Sequence, residues 1–452
     1  MSRPYDEAYD ESGNPRPHYA EVLAALEEPG PVAAEVARRL EARGVTFGAA
    51  EDGVFTLDPV PRILIAAEWS ELQTGIAQRL QALEAFVADV YGEGRVFEAG
   101  ILAREDVEAS PHFEPVMRGA SPRRWISFAG MDVVRSPDGR FRVIEDQVRM
   151  AAGMAYAVAA RDTLRDLVGV PPPQADVSLA FGELALALQD AAPAGIDEPR
   201  TVILTEGPSA AGWWEHERLA RELCAPLVRL ADLEHRDGRL VAWLDGRPRA
   251  VDVVYQRTGE DRFTSPDGSP TAVGEALLGP SAAGVLAVVN APGAGVADDK
   301  LVHAHVDELV SFYLDQEALL PSIPSRPLAA GDELDGLVVK PRGEMGGDGV
   351  VIWRDADEFA RARVRARIEA EPGGWIGQEL VELSVHPTVV DGRLEPRHVD
   401  LRPYALLTDE GVRVLPACIS RVALEEGSMV VNSGQGGGAK DTWVPVAGPG
   451  SR

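Results

Sequence analysis

The sequence predicts an α+β fold, in which a mainly helical N-terminal part is followed by strand-rich segments. Three observations lead to this prediction. Apolar residues recur at helical spacing through residues 70–92, strands and a helix alternate in residues 200–290, and two β-hairpin patterns occupy residues 125–147 and 337–353. The 452 residues are enough for about three domains with a sizeable apolar core.

The composition disfavours several classes of protein. Lys and Arg total 44 against 72 Asp and Glu, which gives a formal net charge of −28. Such a surface disfavours non-specific binding to nucleic acid or anionic membranes, so an anionic ligand must be met by local cations or metal ions. Cys224 and Cys418 belong to no Cys-x-x-Cys unit, and the polar N-terminus has no signal-peptide pattern. We therefore expect a cytoplasmic protein, without a membrane span in the proline-broken apolar stretch 277–297.

The clearest helix is expected to begin at Ser70. Ser70 and Gln73 have the spacing of a capping box, and apolar residues then follow at helical spacing as far as Gly92. This stripe predicts a core helix that carries no chemistry of its own.

The first hairpin carries a candidate metal site. Its turn is predicted at residues 136–139, Ser-Pro-Asp-Gly. A two-residue loop would place Asp132 opposite Val143, with Glu145 and Gln147 pointing to the same face. Two carboxylates and an amide are oxygen donors of the kind that Mg²⁺ accepts. The alternative is that these side chains form only the solvated face of the hairpin.

Residues 200–290 are expected to form a small doubly wound sheet. The strands are predicted at residues 201–204, 240–244, 251–255 and 285–290, with a helix at residues 213–223. The segment that follows approaches the dinucleotide-binding pattern but has Asp298 where the third glycine belongs, which disfavours a nicotinamide or flavin site.

A further helix is predicted at residues 300–314, capped by Asp298 or Asp299. It carries Lys300 in its first turn, where a positive charge is unfavourable to the helix dipole. The ammonium group of this lysine is therefore either solvated or close to an anion.

The second hairpin carries a candidate phosphate site. Lys340 ends its first strand, before Pro341, and the glycines Gly343, Gly346 and Gly347 follow. Backbone N–H groups of such a loop can fold around a polyanion, and a lysine at the strand end supplies positive charge. The alternative is an ordinary glycine-rich hairpin loop with a surface lysine.

Two later segments complete the pattern. A strand is predicted at residues 375–381, behind the glycine hairpin. The glycine-rich stretch 433–440 ends in Lys440, but Ala439 and Asp441 stand where a Walker motif requires glycine and a hydroxyl residue. We interpret this stretch as either a flexible terminal loop or a segment that closes over a ligand.

These parts together resemble an ATP-grasp nucleotide site: a lysine at a strand end, a glycine-rich hairpin, a Gln-Glu-Leu strand and an acidic set. In ordinary ATP-grasp enzymes the acidic set follows the glycine hairpin, whereas here it precedes it. The sequence therefore resembles the circularly permuted type 2 ATP-grasp family, which is related to the synthetase half of glutathionylspermidine synthetase. The motifs that carry this resemblance lie at residues 5–19, 57–62, 130–132, 144–146, 295–300, 339–341, 396–403 and 431–443.

The resemblance implies ATP and Mg²⁺ as cofactors and gives roles to residues of this chain. The matching residues are Lys300 and Lys340 for the phosphates; Gly343, Gly346 and Gly347 for the loop that closes over them; Gln378, Glu379 and Val381 for the hinge strand at adenine and ribose; and Asp132, Glu145 and Gln147 for Mg²⁺. Three positions depart from the family pattern, because Gln147 replaces the usual asparagine and Ala151-Ala152 replace Pro-Ser. The longer amide either retunes the metal site or impairs it.

The resemblance also implies a fold and its divisions: a circularly permuted ATP-grasp core with an inserted small Rossmann-like α/β unit. We expect a helical region at residues 1–120, the metal-ligand hairpin and following helices at 121–195, the α/β unit at 196–295, the nucleotide-binding region at 296–445 and a flexible tail at 446–452.

The implied activity is ATP-dependent ligation of a carboxylate to an amine through an acyl phosphate, with small-molecule or peptide substrates and no nucleic-acid or membrane partner. Arg402 or Arg421 is the candidate for stabilising the oxyanion of the second step, although either arginine could form an ordinary salt bridge instead. The alternatives are an ATP-binding scaffold or regulatory protein without turnover, and a phosphotransferase on the same fold.

Overall fold

The computed structural model describes residues 3–48, 53, 55–173, 176–259, 262–343, 349–431 and 436–444. This described part is a mixture of helices and strands, in agreement with the mixed fold class that the sequence predicts. Within it, no helix is both long enough and apolar enough to cross a membrane.

The helices are α1 Ala20–Ala25, α2 Pro29–Ala42, α3 Ala66–Tyr91, α4 Arg95–Glu98, α5 Arg104–Glu108, α6 Met154–Leu164, α7 Leu179–Asp190, α8 Trp213–Glu222, α9 Ala272–Ala282, α10 Lys300–His303, α11 Val306–Leu314 and α12 Glu358–Ala370. The strands are β1 Leu57–Ile63, β2 Phe128–Arg135, β3 Phe141–Gln147, β4 Thr201–Leu204, β5 Leu227–Val228, β6 Leu233–Arg236, β7 Arg239–Leu244, β8 Arg247–Ala250, β9 Val253–Gln256, β10 Ala287–Val289, β11 Ser325–Pro327, β12 Leu337–Pro341, β13 Val351–Ile352, β14 Trp375–Glu379, β15 Val385–Val390, β16 Arg393–Arg402, β17 Tyr404–Thr408, β18 Gly411–Val414, β19 Ile419–Val422 and β20 Gly438–Trp443.

A nine-stranded sheet forms the centre of the protein. Its strands lie in the order β1-β20-β19-β16-β2-β17-β18, with β15 beside β16 and β3 beside β2. Residues of β2 alternate between two cores, because Phe128 packs with α6 while Met131 and Val133 pack with α3. Both faces of the sheet are therefore covered, so the polar side chains that this strand carries among them, such as Asp132, need partners.

The C-terminal strand β20 pairs in parallel with β1, and Ala439 lies opposite Leu57. The prediction of a flexible terminal loop is therefore wrong for residues 438–440, which lie inside this sheet. Residues 432–435, which belong to the same predicted stretch, lie outside the described residues.

The helix α3 begins earlier than predicted. It starts at Ala66, and the carboxylate of Glu68 accepts a hydrogen bond of 3.1 Å from the backbone N–H of Ile65. The predicted start at Ser70 is wrong because the Glu68 side chain caps the N-terminus of the helix at Ile65, ahead of the Ser70–Gln73 pair. The predicted end near Gly92 is confirmed.

The hairpin of β2 and β3 keeps its predicted strands but not its predicted register. The loop holds three residues, since the Ser136 N–H donates to the Arg140 carbonyl, and this loop shifts the pairing by one residue. A β-bulge then shifts it again, so that Asp132 lies opposite Glu145 and not opposite Val143. The three predicted metal ligands still share one face because the second shift offsets the first.

The α/β region contains two sheets where the sequence predicted one. β5-β4-β9-β10 form a four-stranded parallel sheet, whereas β6-β7-β8 form a separate antiparallel sheet. The predicted strand 240–244 belongs to the second sheet. Asp237-Gly238 and Asp245-Gly246 flank it, all with positive φ, and Asp-Gly pairs are typical of tight hairpin turns. These pairs are the sequence signal that distinguishes the two sheets.

The predicted helix 300–314 is two helices, α10 and α11, with a break at residues 304–305. The carboxylate of Asp299 caps α10 by accepting a hydrogen bond of 3.0 Å from the Leu301 N–H. The glycine hairpin belongs to a third sheet, in the order β11-β14-β12-β13, where Lys340 lies opposite Ile376.

Candidate functional site

A cavity of about 670 Å³ lies between the sheet β11-β14-β12-β13 and the central sheet. It is lined by ten of the predicted site residues, namely Asp132, Glu145, Gln147, Lys300, Lys340, Gln378, Glu379, Val381, Arg402 and Arg421. Gly343 does not line it, and Gly346 and Gly347 lie outside the described residues. Residues far apart in sequence therefore meet at one place.

Asp132 is the centre of a buried ion-pair cluster. Arg402 donates to both of its carboxylate oxygens, from Nε at 2.6 Å and from Nη2 at 2.9 Å, and Arg421 Nη2 donates at 2.8 Å. Arg421 also donates to Asp400 from Nε at 3.0 Å. Burial alone would raise the pKa of Asp132, but the two guanidinium groups outweigh burial and hold this pKa below its ordinary value. Asp132 is therefore ionised and tightly held.

Gln147 joins this cluster through its amide nitrogen, which donates to Asp132 Oδ2 at 3.2 Å. Its carbonyl oxygen lies on the other side of the amide. The bulge that brings Asp132 opposite Glu145 leaves Ile144 without a paired residue in β2, and Gln378 Nε2 donates to the Ile144 carbonyl at 3.2 Å. The register shift therefore ties the central sheet to the glycine-hairpin sheet.

Lys340 reaches into the cavity from β12. Its Nζ donates to Gln378 Oε1 at 2.6 Å, so its nearest partner is a neutral amide and not a carboxylate. Burial is the main cause that lowers the pKa of Lys340 to about 8, and the positive charge of Lys300 adds to it. An anion close to this ammonium group would replace much of the solvation that the group loses on burial.

Lys300 reaches the cavity from the start of α10. Its Nζ lies 3.5 Å from Oε1 of Glu145, the residue opposite Asp132 in the hairpin. The cap residue Asp299 also accepts a hydrogen bond of 2.7 Å from Arg342 Nε, which follows directly after β12. The same carboxylate therefore fixes the helix that carries Lys300 and the strand end beyond Lys340.

A buried network behind β3, which the sequence analysis did not assign, supports this arrangement. Arg79 of α3 donates to both oxygens of Asp146, at 2.6 and 2.8 Å, and His303 Nδ1 lies 2.8 Å from the same carboxylate. Asp146 separates Glu145 from Gln147 and points to the other face of β3, as alternation in a strand requires. In the Glu-Asp-Gln run, Glu145 and Gln147 therefore face the cavity, and Asp146 faces the core.

The sequence analysis also did not predict the apolar wall of the cavity. Ile323, Leu383 and Met429 line it together with exposed carboxylates at the rim, such as Glu425. Apolar residues and a loop at residues 425–431 carry no motif, so only the packing of the chain shows where they lie. A cavity with an apolar wall at one side and four cations at the other suits an amphiphilic anion.

The comparison with protein families decides the family. The model of the family described as circularly permuted ATP-grasp type 2 matches residues 61–423, which is most of the chain. The chain belongs to this family.

Several relatives of this ATP-grasp protein support the assignment. A Frankia alni protein named as a candidate glutamate–cysteine ligase is 41% identical over 467 residues, covering 98% of this chain and 54% of that protein. An uncharacterised Mycobacterium tuberculosis protein is 36% identical, with coverage of 97% and 84%. The ATP-grasp chain thus spans about half the length of the Frankia relative but nearly all of a Synechocystis protein, which is 35% identical with coverage of 97% and 96%.

The ATP-grasp chain also resembles a solved structure, a glutathione synthetase-like effector from Globodera pallida without ligand. The TM-score is 0.61 with 12% identity, and the match covers 93% of this chain and 99% of that one. This likeness supports the fold of the ATP-grasp chain.

The metal that this family generally uses can be tested against the donor set. Glu145 and the Gln147 carbonyl are hard oxygen donors on one face, which suits Mg²⁺. Asp132 Oδ2 already accepts hydrogen bonds from Arg402, Arg421 and Gln147, which leaves Oδ1 as its freer atom. The cluster holds four cations near Asp132 and Glu145, so the residues fit Mg²⁺ when phosphate oxygens share its coordination.

Proposed function

We propose that this protein is an ATP- and Mg²⁺-dependent carboxylate–amine ligase. The observation that supports this most is the single cavity in which Lys300, Lys340, Arg402 and Arg421 gather around Asp132 and Glu145. Cations in excess of buried carboxylates favour a polyanion there, and the apolar wall beside them suits a base such as adenine. We also propose that the parallel sheet in residues 196–295 is the Rossmann-like unit inserted in the ATP-grasp core, with the domain divisions predicted above.

The nucleotide is proposed to lie with its phosphates at the cation cluster and its adenine near residues 378–381. Lys340 and Lys300 are proposed to contact phosphate, and the Lys340 ammonium group would donate to both Gln378 and the nucleotide. Glu145, Gln147 and Asp132 would hold Mg²⁺, which would supply charge neutralisation to the nucleotide phosphates. These side chains are preorganised by their hydrogen bonds, so little rearrangement precedes the reaction.

The proposed reaction has two steps. A carboxylate oxygen of the acid substrate attacks the γ-phosphorus, the bond between this phosphorus and the bridging oxygen breaks, and ADP leaves. The amine nitrogen then attacks the carbonyl carbon of the acyl phosphate, and phosphate leaves as the carbon–oxygen bond breaks. Arg402 or Arg421 is proposed to stabilise the oxyanion of the second step, and both guanidinium groups line the cavity.

The test is trapping of the acyl phosphate. The protein is incubated with ATP, Mg²⁺, a panel of acids and hydroxylamine, which converts an acyl phosphate to a hydroxamate. The proposal predicts that an acid elicits both ADP and its hydroxamate, and that the variant Lys300→Met yields neither. ADP release with a stable phosphorylated product and no hydroxamate would indicate a phosphotransferase.

The relatives supply one pair of substrates for this panel. Glutamate and cysteine are included because the Frankia protein is named for their ligation. This chain matches about half of that protein, so the named activity can belong to the other half. Glutamate and cysteine therefore enter as one pair among several.

A second candidate function is ATP binding without turnover. The observation that favours it is the saturation of Asp132 Oδ2 by three donors, in a site where glutamine stands at position 147 and Ala151-Ala152 follow. This candidate predicts ATP binding of ordinary affinity together with no ADP release for any substrate pair.

A further inference from the structure

A second cavity, of about 410 Å³, adjoins the nucleotide cavity. The two cavities share Glu145, Gln147, Arg402 and Arg421, which are the residues around Asp132. The second cavity therefore begins where the phosphate end of the proposed nucleotide site ends. A molecule held there would lie beside the terminal phosphate, which is the position that the first reaction step requires.

The far side of this cavity is formed by the parallel sheet. Strands β4 and β9 are neighbours in the middle of this sheet. The chain continues from β4 to β5 on one side of the pair and from β9 to β10 on the other side. Their loops therefore diverge at the carboxyl ends, and a crevice opens there of the kind in which parallel sheets bind ligands. The cavity is lined by residues just after both strands, including Glu206 after β4 and Arg257 after β9.

One wall of the cavity is aromatic. The rings of Phe55 and Tyr156 stack with centroids 4.8 Å apart, and Phe47 meets Tyr156 edge-on at 5.6 Å. The Tyr156 hydroxyl is already used, because it donates to the Thr46 carbonyl at 2.7 Å. Phe55 and Tyr156 are themselves buried, so the half-buried ring of Phe47 is the part of this wall that is most open to a flat apolar group.

Arginines also line this cavity. Arg257 is 6% exposed and donates to the Ala151 carbonyl at 2.7 Å and to Glu215 at 3.0 Å, while its Nε has no hydrogen-bond partner among the described residues. Arg402 Nη1 donates to the carbonyl of the next residue, Ala152, at 3.3 Å. Two guanidinium groups thus flank one short stretch of backbone, and a buried donor there lacks an acceptor.

Two carboxylates of the same cavity, Glu215 and Asp298, are already paired with arginines, whereas within the described part of the chain the exposed Glu206 accepts only from the Gly259 N–H. Glu215 accepts from the N–H groups of Gly153 and Ala155 at the start of α6, as well as from Arg257. Asp298 accepts from Arg149 Nη2 at 3.0 Å and from the backbone N–H of Val148 at 2.8 Å. An ammonium group would find Glu215 and Asp298 occupied, whereas a carboxylate would meet the buried Arg257 Nε, which lacks an acceptor among the described residues.

We propose that the second cavity binds the acid substrate, and that this acid is a carboxylate carried on a flat, aromatic or similarly apolar group. The ring lies against Phe47, Phe55 and Tyr156, and the carboxylate points to the arginine end, toward the terminal phosphate. This inference rests on the proposed ligase function, because only that function requires a carboxylate beside the nucleotide.

The test is a calorimetric titration of the protein saturated with ADP and Mg²⁺. Three probes are compared: 3-phenylpropanoate, propanoate and 3-phenylpropylamine, which separate the ring from the charge. We expect 3-phenylpropanoate to bind at least about tenfold more tightly than either of the others. Equal or tighter binding of the amine would overturn the proposal, and so would equal binding of propanoate.

Matched variants locate the binding. Phe47→Ala is expected to weaken 3-phenylpropanoate binding about tenfold, and the control Phe359→Ala, at a side chain that is 76% exposed, is expected to leave it unchanged. Arg257→Lys keeps the charge but loses the planar fork, so it is expected to weaken the propanoate and phenylpropanoate complexes alike. Melting temperature and ADP affinity show whether each variant is folded.

The outcomes separate this inference from the proposed function. Unchanged phenylpropanoate affinity in a folded Phe47→Ala variant would overturn the inference while ADP binding upholds the nucleotide site. A wild-type protein that binds no ADP would overturn the nucleotide site and the inference together.

Discussion

Two lysines of this chain are flanked by glycine-rich stretches, and the structure gives them opposite surroundings. Lys340 lines the nucleotide cavity and donates to the neutral amide oxygen of Gln378 at 2.6 Å. Lys440 is fully buried in β20, where it pairs with Asp58 and donates to the Pro387 carbonyl at 3.0 Å. Burial lowers the pKa of both lysines, yet only Lys440 has its charge compensated by a bonded carboxylate.

The difference shows that glycine near a lysine does not identify a phosphate site. A lysine bonded to a buried carboxylate is part of the core, whereas a lysine bonded to an amide keeps a charge that an anion can use. The partner decides, and it comes from a strand distant in sequence in both cases. Each prediction below separates these two roles.

The largest effect is expected for Lys440→Met. This change leaves the Asp58 carboxylate buried without its cation, although the N–H groups of Val60 and Val389 still donate to it. The free energy of unfolding, measured by urea denaturation, should fall by about 3 kcal/mol. The double variant with Asp58→Asn should recover part of this loss, and a single variant as stable as wild type would contradict the structural role.

The matched change Lys340→Met should act on binding instead. The ATP dissociation constant is expected to rise at least about tenfold, since a charge-assisted contact of about 1.5–3 kcal/mol is lost. The free energy of unfolding should change by less than about 1 kcal/mol, because Gln378 keeps its bonds to Ile144 and Ser325. A large loss of stability with unchanged ATP affinity would make Lys340 a core residue like Lys440.

ATP affinity should depend on pH through Lys340, whose pKa is lowered to about 8 by burial. Below this pH Lys340 is in the ammonium form, which is the form that phosphate binds. Above this pH the free protein carries a neutral Lys340, so binding of ATP requires the uptake of a proton. Affinity should therefore fall above about pH 8, approaching tenfold per pH unit. Calorimetry at several pH values measures the ATP affinity, with Lys340→Arg as a control whose side chain stays charged. An ATP affinity of the wild-type protein that does not change with pH would contradict this prediction.

The smallest effect is expected for Gln147→Asn. The shorter amide loses the 3.2 Å bond to Asp132 and moves its carbonyl closer to β3. We expect a change of a few-fold in the strengthening of ATP binding by Mg²⁺, read from titrations with and without the metal. Identical metal dependence in both proteins would show that position 147 is not a ligand.

The sequence predicted most of the strands and the gathering of the site residues better than it predicted local geometry. The order of motifs indicated that Asp132, Lys300 and Lys340 meet, and they line one cavity. The register of the hairpin could not be read, because a loop of three residues and a bulge are close in energy to the simpler alternative. The hydrogen bond between Gln378 and the Ile144 carbonyl shows that the bulge connects the central sheet to the glycine-hairpin sheet.

Long-range pairing was the other limit. Residues 438–443 form a strand between β19 and β1, and no local pattern contains the pairing with β1, which lies nearly four hundred residues earlier. The arginine pairing of Asp132 is of the same kind. By contrast, the two Asp-Gly turns around β7 were readable signals, and they place this strand in a separate sheet.

The measurement that most directly tests the central claim is a set of three calorimetric titrations, with Mg²⁺ alone, ATP alone and both together. Since cations already surround Asp132 and Glu145, we predict no detectable binding of Mg²⁺ alone, binding of ATP alone, and binding at least about tenfold tighter when both are present. Asp132→Ala should remove this synergy. Saturable binding of Mg²⁺ without nucleotide, or the lack of any ATP binding, would contradict a polyphosphate site in this cavity.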